Sequence, residues 1–257
     1  MCVRVAPCTC GKPVEVNVTS DWFQDSWRAE YQEHLLDPQE RRIKARQLRD
    51  ALDASRLWNV PAKILDVGCG SALTLAALDA PAVLRIGCDI RRELFLRAKV
   101  AHTQIEFVQA DVSRLPFRHG EFDLVICLAV IEEVRDWRSM LQAMAQCVAP
   151  GGVLYVTMTN GKTLARLYTG VEKIGVRVRN GSRFYAQSSL RFVGSPDDGF
   201  GTTGVRGWQF VNVTPHLIRA NLPFLRIIPL SILTRVCTLF APSFGFAWRR
   251  PAATRKF

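Results

Sequence analysis

Three aspartates close three short apolar runs: Asp66 in "KILDVGCG", Asp89 in "LRIGCD" and Asp111 in "IEFVQAD". A carboxylate so placed can accept hydrogen bonds or face a cation, and in an open parallel sheet the carboxyl ends of the strands are where ligands bind. Asp66 stands two residues ahead of Gly68, in a turn that leads from strand to helix. There it would repel a pyrophosphate. It suits a ligand with a cationic group and no phosphate, while Gly68 and Gly70, with Cys69 between them, let the backbone approach closely. A dinucleotide fingerprint needs a third glycine, but Ser71, Ala72 and Leu73 follow Gly70. Asp89 offers two acceptor oxygens, enough for both hydroxyls of a ribose, and Asp111 can accept from an exocyclic amine such as that of adenine. One aspartate ending a strand is often only a helix cap; three in register make one site.

The elements that must hold these residues follow from the hydrophobic pattern. Strands are expected over 63–67, 83–89, 104–109, 122–128 and 152–159, with helices over 72–79, 92–101 and 136–148. The strands are nearly continuous apolar runs, as parallel strands covered on both faces are, and helical patterns separate most of them. The fold class is therefore α/β, a doubly wound and mostly parallel sheet. Residues 21–57 alternate apolar and charged positions at helical spacing, with Pro38 placed to open the second of two N-terminal helices. Five segments result: a flexible tail over 1–20, N-terminal helices over 21–60, a core over 61–160, a basic, glycine-rich insertion over 161–213, and the last helix and final strands over 214–257. Within the insertion, "GSPDDGFGTTGVRG" carries five of the seventeen glycines in fourteen positions, and order is expected to return at Thr214, a helix cap followed by Pro215.

In their order along the chain, "ILDVGCGSA", "IGCDI", "FVQADVSRLPFRHGEFDLVICLAVIEEV" and "VAPGGVLYVTMTN" resemble the successive motifs of class I S-adenosylmethionine-dependent methyltransferases. The likeness is to the small-molecule branch that includes the ubiquinone and menaquinone methyltransferases, and it covers about residues 60–160. It implies a Rossmann-like, seven-stranded sheet whose last strand, over about 244–249, runs antiparallel. It implies S-adenosyl-L-methionine as cofactor, with Asp66 and the turn Gly68, Cys69, Gly70 at the methionine end, Asp89 and Ile90 at the ribose, Asp111 and Val112 at the adenine, and Leu128 lining the site beside the fourth strand. The N-terminal helices would cover the cofactor, Tyr31 among the contacts. Two positions depart from the family pattern. Ala72 stands where many members carry a further glycine, and Glu132-Glu133 stands where many read Glu-His.

A sulfonium methyl is already electrophilic, so such a protein has to align the nucleophile, exclude water and, for a hydroxyl acceptor, remove a proton. Glu133, on the loop that faces the methyl group in this fold, is the first candidate base, and His216 is the second. The plainer alternatives are that Glu133 is a helix-entry carboxylate and His216 an exposed first-turn residue.

The chain has 257 residues and a formal net charge of +11. Residues 1–158 carry 19 Lys and Arg against 20 Asp and Glu, while residues 159–257 carry 15 against 3. The whole excess lies in the last 99 residues, which should face something anionic: a phosphorylated substrate, a membrane surface or nucleic acid. The stretch Leu222 to Trp248 is apolar apart from Arg226 and Arg235, and its longest helix-compatible piece, about Leu230 to Phe240, is too short to span a bilayer. It is expected either to pack on the sheet as final strands or to lie in a membrane interface with Arg226, Arg235, Arg249 and Arg250 near head groups. No secretory leader is apparent, and Cys69, Cys88 and Cys127 fall where small reduced core residues would, so the expected location is cytoplasmic, with peripheral membrane contact. Cys2, Cys8 and Cys10 cluster without a fourth ligand at zinc-finger spacing, so no metal site is expected. The leading function is O-methylation of a small or lipid-linked acceptor. The alternatives are a nucleic-acid methyltransferase, disfavoured because the C-terminal arginines are scattered among apolar positions, and a non-catalytic assembly protein that keeps the fold.

Overall fold

A computed structural model describes residues 38–57, 59–79, 84–131, 136–159, 207–240 and 243–253, with the single residues 82, 134 and 205. The expected tail, Tyr31, Glu133 and most of the expected insertion lie outside the described residues.

Helix α1 (Pro38–Ala54) has proline at its first position, where a missing N–H costs no helical hydrogen bond. Its Ala45, Leu48, Ala51 and Leu52 form one buried stripe. The helix stops with Arg56 in the left-handed region at φ 58, where its N–H donates to the Asp53 carbonyl and that of Leu57 to Leu52. The core then runs β1 (Lys63–Val67), α2 (Leu73–Ala77), β2 (Leu84–Asp89), α3 (Arg92–Ala101), β3 (Glu106–Gln109), β4 (Phe122–Leu128), α4 (Trp137–Cys147) and β5 (Val148–Thr159). Asp136 caps α4 by accepting from the Ser139 N–H. The strand β5 starts four residues earlier than its apolar pattern indicates. It follows directly on α4, and a register shift against β4 between Phe122 and Leu124 absorbs Pro150 and Gly151.

After the insertion come β6 (Gln209–Asn212), α5 (Val213–Asn221), a 3-10 turn (Pro223–Ile227), α6 (Leu230–Phe240) and β7 (Ser243–Arg249). The seven strands lie in the order β3-β2-β1-β4-β5-β7-β6, and β7 is antiparallel to both neighbours. The expected α/β sheet with an antiparallel last strand is what the chain forms. One side of the sheet is packed by α4 and α6, through Met140, Leu141, Met144, Leu233 and Cys237. The other is packed by α1 and α2, through Leu48, Leu52 and Leu75.

Three expectations need correction. Residues 209–212, expected inside the insertion, are edge strand β6, held by Phe210 against Phe246 and Trp248 at ring separations of 5.8 and 5.4 Å. Thr214 is not the cap of α5. Asn212 caps it by accepting from the Thr214 N–H, while the Thr214 hydroxyl accepts from the Gly245 N–H and ties the helix to β7. Most of the apolar stretch from Leu222 is helical, and only its end, β7, joins the sheet.

Candidate functional site

Parallel pairing sets Asp66 beside Gly87 on β2 and beside Ile126 on β4, and sets Asp89 beside Gln109 on β3. The ends of four adjacent strands thus carry Asp66, Asp89 and Ile90, Asp111 and Val112, and Leu128 along one edge. Asp66 and Asp89 are 3% and 5% exposed, which for carboxylates requires compensation.

For Asp89 that compensation is visible. One oxygen accepts from the Gly70 N–H at 2.9 Å and the other from the Arg91 N–H at 2.9 Å, with the Arg91 guanidinium 3.7 Å away. Each oxygen has two lone pairs, so one acceptor position on each stays open for a ribose hydroxyl. Asp111 accepts from both the N–H and the hydroxyl of Ser113 through one oxygen; the other oxygen has no hydrogen-bond partner among the described residues.

The glycine turn is drawn back onto β2. The N–H groups of Gly68 and Cys69 both donate to the Cys88 carbonyl, at 2.8 and 2.9 Å, and that of Gly70 goes to Asp89. Three successive N–H groups that would cradle a phosphate in a nucleotide-binding loop are therefore engaged internally. The local potential is negative as well. Burial pushes the Cys69 thiol up, and the Asp66 and Asp89 carboxylates add to it. A cationic, phosphate-free amino-acid end fits this turn, and a pyrophosphate does not.

Gly68 and Gly70 have φ of 75° and 53°. At Gly68 an added Cβ would lie 2.5 Å from a Val130 methyl, so the chain after β4 closes directly over the turn. Ala72 also sits in the left-handed region, at φ 52, which explains why glycine suits this position elsewhere in the family; the alanine carries a strain of about 1 kcal/mol.

Val130, Ala129 and Gly87 were not legible as site residues. Ala129 follows Leu128 at φ 56, with its N–H donating to the Thr157 hydroxyl. Gly87 makes room for Cys69, whose sulfur would be 2.8 Å from a Cβ there. A glycine inside an apolar strand was the one available signal of that close approach. His216 is half-buried on α5, after edge strand β6, which stands four strand spacings or about 19 Å from β1. Five cysteines among the described residues, Cys69, Cys88, Cys127, Cys147 and Cys237, are free and buried.

Residues 65–156 match the family described as "Methyltransferase domain". Over 119 residues the chain is 34% identical to a ubiquinone biosynthesis O-methyltransferase of Escherichia coli O7:K1, covering 44% of this chain and 50% of that protein. The same figures hold for its counterpart in Shigella boydii serotype 18. The chain thus spans about half the length of these curated relatives. Among solved structures, the plantazolicin methyltransferase BpumL in complex with SAH superposes with a TM-score of 0.57 at 14% identity, covering 89% of this chain and 92% of that one. A possible histamine N-methyltransferase from Thermotoga maritima does so at 0.51 and 13%, covering 87% and 96%. These two likenesses concern the fold. The match over residues 65–156 marks this part of the chain as a methyltransferase domain, built in the fold that the two solved structures share and carrying an edge of carboxylates beside an inward-bonded turn.

Proposed function

We propose that the protein moves the methyl group of S-adenosylmethionine to an oxygen of a small or lipid-linked acceptor. The observation that carries the reading is the glycine turn, with its N–H groups engaged by β2 and two buried carboxylates beside it. In this reading Asp66 and the turn hold the methionine end, Asp89 with Ile90 the ribose, Asp111 with Val112 the adenine, and Leu128 a wall of the site, with Tyr31 as a further contact. Oxygen as the target is supported by the ubiquinone biosynthesis O-methyltransferases that the domain resembles. Five free, buried thiols support a reducing, cytoplasmic setting.

Bound S-adenosylmethionine supplies a methyl group made electrophilic by positive sulfur. The chain's own residues must orient the acceptor, keep water out and take the hydroxyl proton. Glu133 is the first proposed base and His216 the second. Burial, and then the neighbouring Arg219 charge, hold the His216 imidazole below the usual histidine range, so it stays neutral and able to accept a proton at lower pH than a free histidine. The sign for stability follows. The unfolded chain takes up this proton first as pH falls, so the contribution of His216 is present above the ordinary histidine value and lost below it.

Glu133→Gln is expected to lower kcat by roughly 100-fold or more, with the cofactor Kd within about twofold of wild type. His216→Gln should have the smaller effect. The reverse ranking, with an acid limb of the kcat profile that disappears in His216→Gln, moves the proton transfer to His216. The function itself is tested by S-adenosylhomocysteine release with a phenol bearing an alkyl tail and, separately, with total RNA. Turnover with the phenol alone is expected; turnover with RNA alone would transfer the protein to the nucleic-acid modifying class.

A further inference from the structure

The connection between β6 and β7 presents apolar side chains to solvent. Seven large hydrophobic residues are exposed among the described ones, and five of them, Leu222, Phe224, Ile227, Ile232 and Val236, fall within fifteen consecutive positions. Phe224 is 68% and Ile227 89% exposed, values out of keeping with side chains that seal a core. The α6 helix shows how the ridge is built. Leu233 and Cys237, four apart, face the core, while Ile232 and Val236, also four apart, face outward beside the exposed Arg235. The 3-10 turn repeats the division, with Leu225 and Ile228 packed inward and Phe224, Arg226 and Ile227 outward. Arg219 donates to the Arg226 carbonyl and joins α5 to that turn.

The charge within the connection has one sign. No Asp or Glu follows Asp198 in the chain, whereas Arg219, Arg226 and Arg235 flank the apolar positions. A protein partner would need acidic groups set around an apolar patch in register with these three arginines. A bilayer with anionic head groups takes both components at once, the side chains of Phe224 and Ile227 in the acyl boundary and the guanidiniums at the phosphates.

The two ends of the connection also have a defined place. Asn212, where β6 ends, pairs with Phe246, which pairs with Val156; Ser243, where β7 begins, pairs with Thr159. Both ends of the connection therefore lie at the carboxyl edge of the sheet, the edge that carries Asp66 and Asp89.

We propose that the α5, 3-10 and α6 connection docks this protein on an anionic membrane surface, with the cofactor edge turned toward the lipid interface. This gives the proposed lipid-linked acceptor a route in which its tail stays in the bilayer while its hydroxyl reaches the site. The docking stands on the ridge and its charge, and vesicle binding scored without acceptor or cofactor keeps its failure apart from failure of the acceptor reading.

The experiment is flotation of the full chain with vesicles of phosphatidylglycerol and phosphatidylcholine, and with phosphatidylcholine alone, at low and high salt. Wild type is expected to float with the anionic vesicles at low salt and several-fold less at high salt. Arg226→Gln with Arg235→Gln should weaken binding about fivefold per arginine, the equivalent of roughly 1 kcal/mol per charge near the surface. Phe224→Ser with Ile227→Ser should weaken it at least tenfold at either salt, with thermal unfolding showing both double variants folded. No binding at low salt, or equal flotation of wild type and the apolar double variant, overturns the proposal. So does a wild-type dimer in light scattering that Phe224→Ser with Ile227→Ser dissociates, since a second copy would then cover the ridge.

Discussion

Asp89→Ala is expected to weaken S-adenosylmethionine binding by about 1–3 kcal/mol, or 5- to 150-fold in Kd, and to lower the unfolding temperature of the cofactor-free protein as well. The two effects share one cause. Besides the ribose contact proposed for it, the Asp89 carboxylate accepts from the Gly70 and Arg91 N–H groups. Alanine removes the ribose acceptor and leaves two backbone donors in a largely buried site with nothing to bond, at about 1–3 kcal/mol each unless water enters. Asp89→Asn sharpens the test. The amide keeps one acceptor oxygen but turns an NH2 toward one of the two backbone donors, so affinity should still fall while the fold loses less than in the alanine variant. Calorimetric titration, paired with thermal unfolding in the absence of ligand, separates the two losses. An unchanged Kd in a folded Asp89→Ala protein, or a wild type that prefers NAD, would remove Asp89 and its neighbours from the cofactor site.

How far such a site can be read from sequence depends on how local its causes are. The strands β1 and β4 and the helix α3 begin and end where the hydrophobic pattern puts them, because each is bounded by residues that change the pattern themselves: Gly68 after β1, Arg91 before α3, Gly120 before β4. Asp66, Asp89 and Asp111 are legible for the same reason, since the end of a parallel strand fixes which edge a residue occupies. Edge strand β6 is different. Four residues cannot show a period, and what holds Phe210 in place is the rings of Phe246 and Trp248, more than thirty residues later in the chain. The cap of α5 misleads in a related way. Asn212 and Thr214 are both good capping types, and only the bond from the Gly245 N–H to the Thr214 hydroxyl, a contact between distant segments, decides between them. The apolar stretch from Leu222 could not be assigned to a core or a surface from composition, because Leu233 and Ile232 are equally apolar and differ only in which side of α6 meets the sheet.

Val130 is the contact that sequence conceals most completely, and it yields the largest expected structural effect. Gly68→Ala should destabilise the protein by about 2–5 kcal/mol and abolish measurable cofactor binding. Two independent costs add. At φ 75 an alanine pays roughly 1–2 kcal/mol for the left-handed conformation, and its Cβ, 2.5 Å from a Val130 methyl with a second methyl at 3.0 Å, forces a displacement of the kind that costs about 1–3 kcal/mol in packed interiors. The displacement falls on the turn itself, whose N–H of Gly68 must stay within reach of the Cys88 carbonyl to keep the loop folded back on β2. The two costs can be separated in a double-mutant cycle. Val130→Ala removes both methyls and leaves its own Cβ at 3.2 Å, so in that background Gly68→Ala should retain the conformational penalty and only a residual contact, and a coupling of at least 1 kcal/mol between the substitutions is expected from chemical denaturation. Additive effects of the two changes would mean that the turn moves away from Val130 at little cost. The close approach of the chain after β4 to the glycine turn would then have no part in shaping the cofactor site.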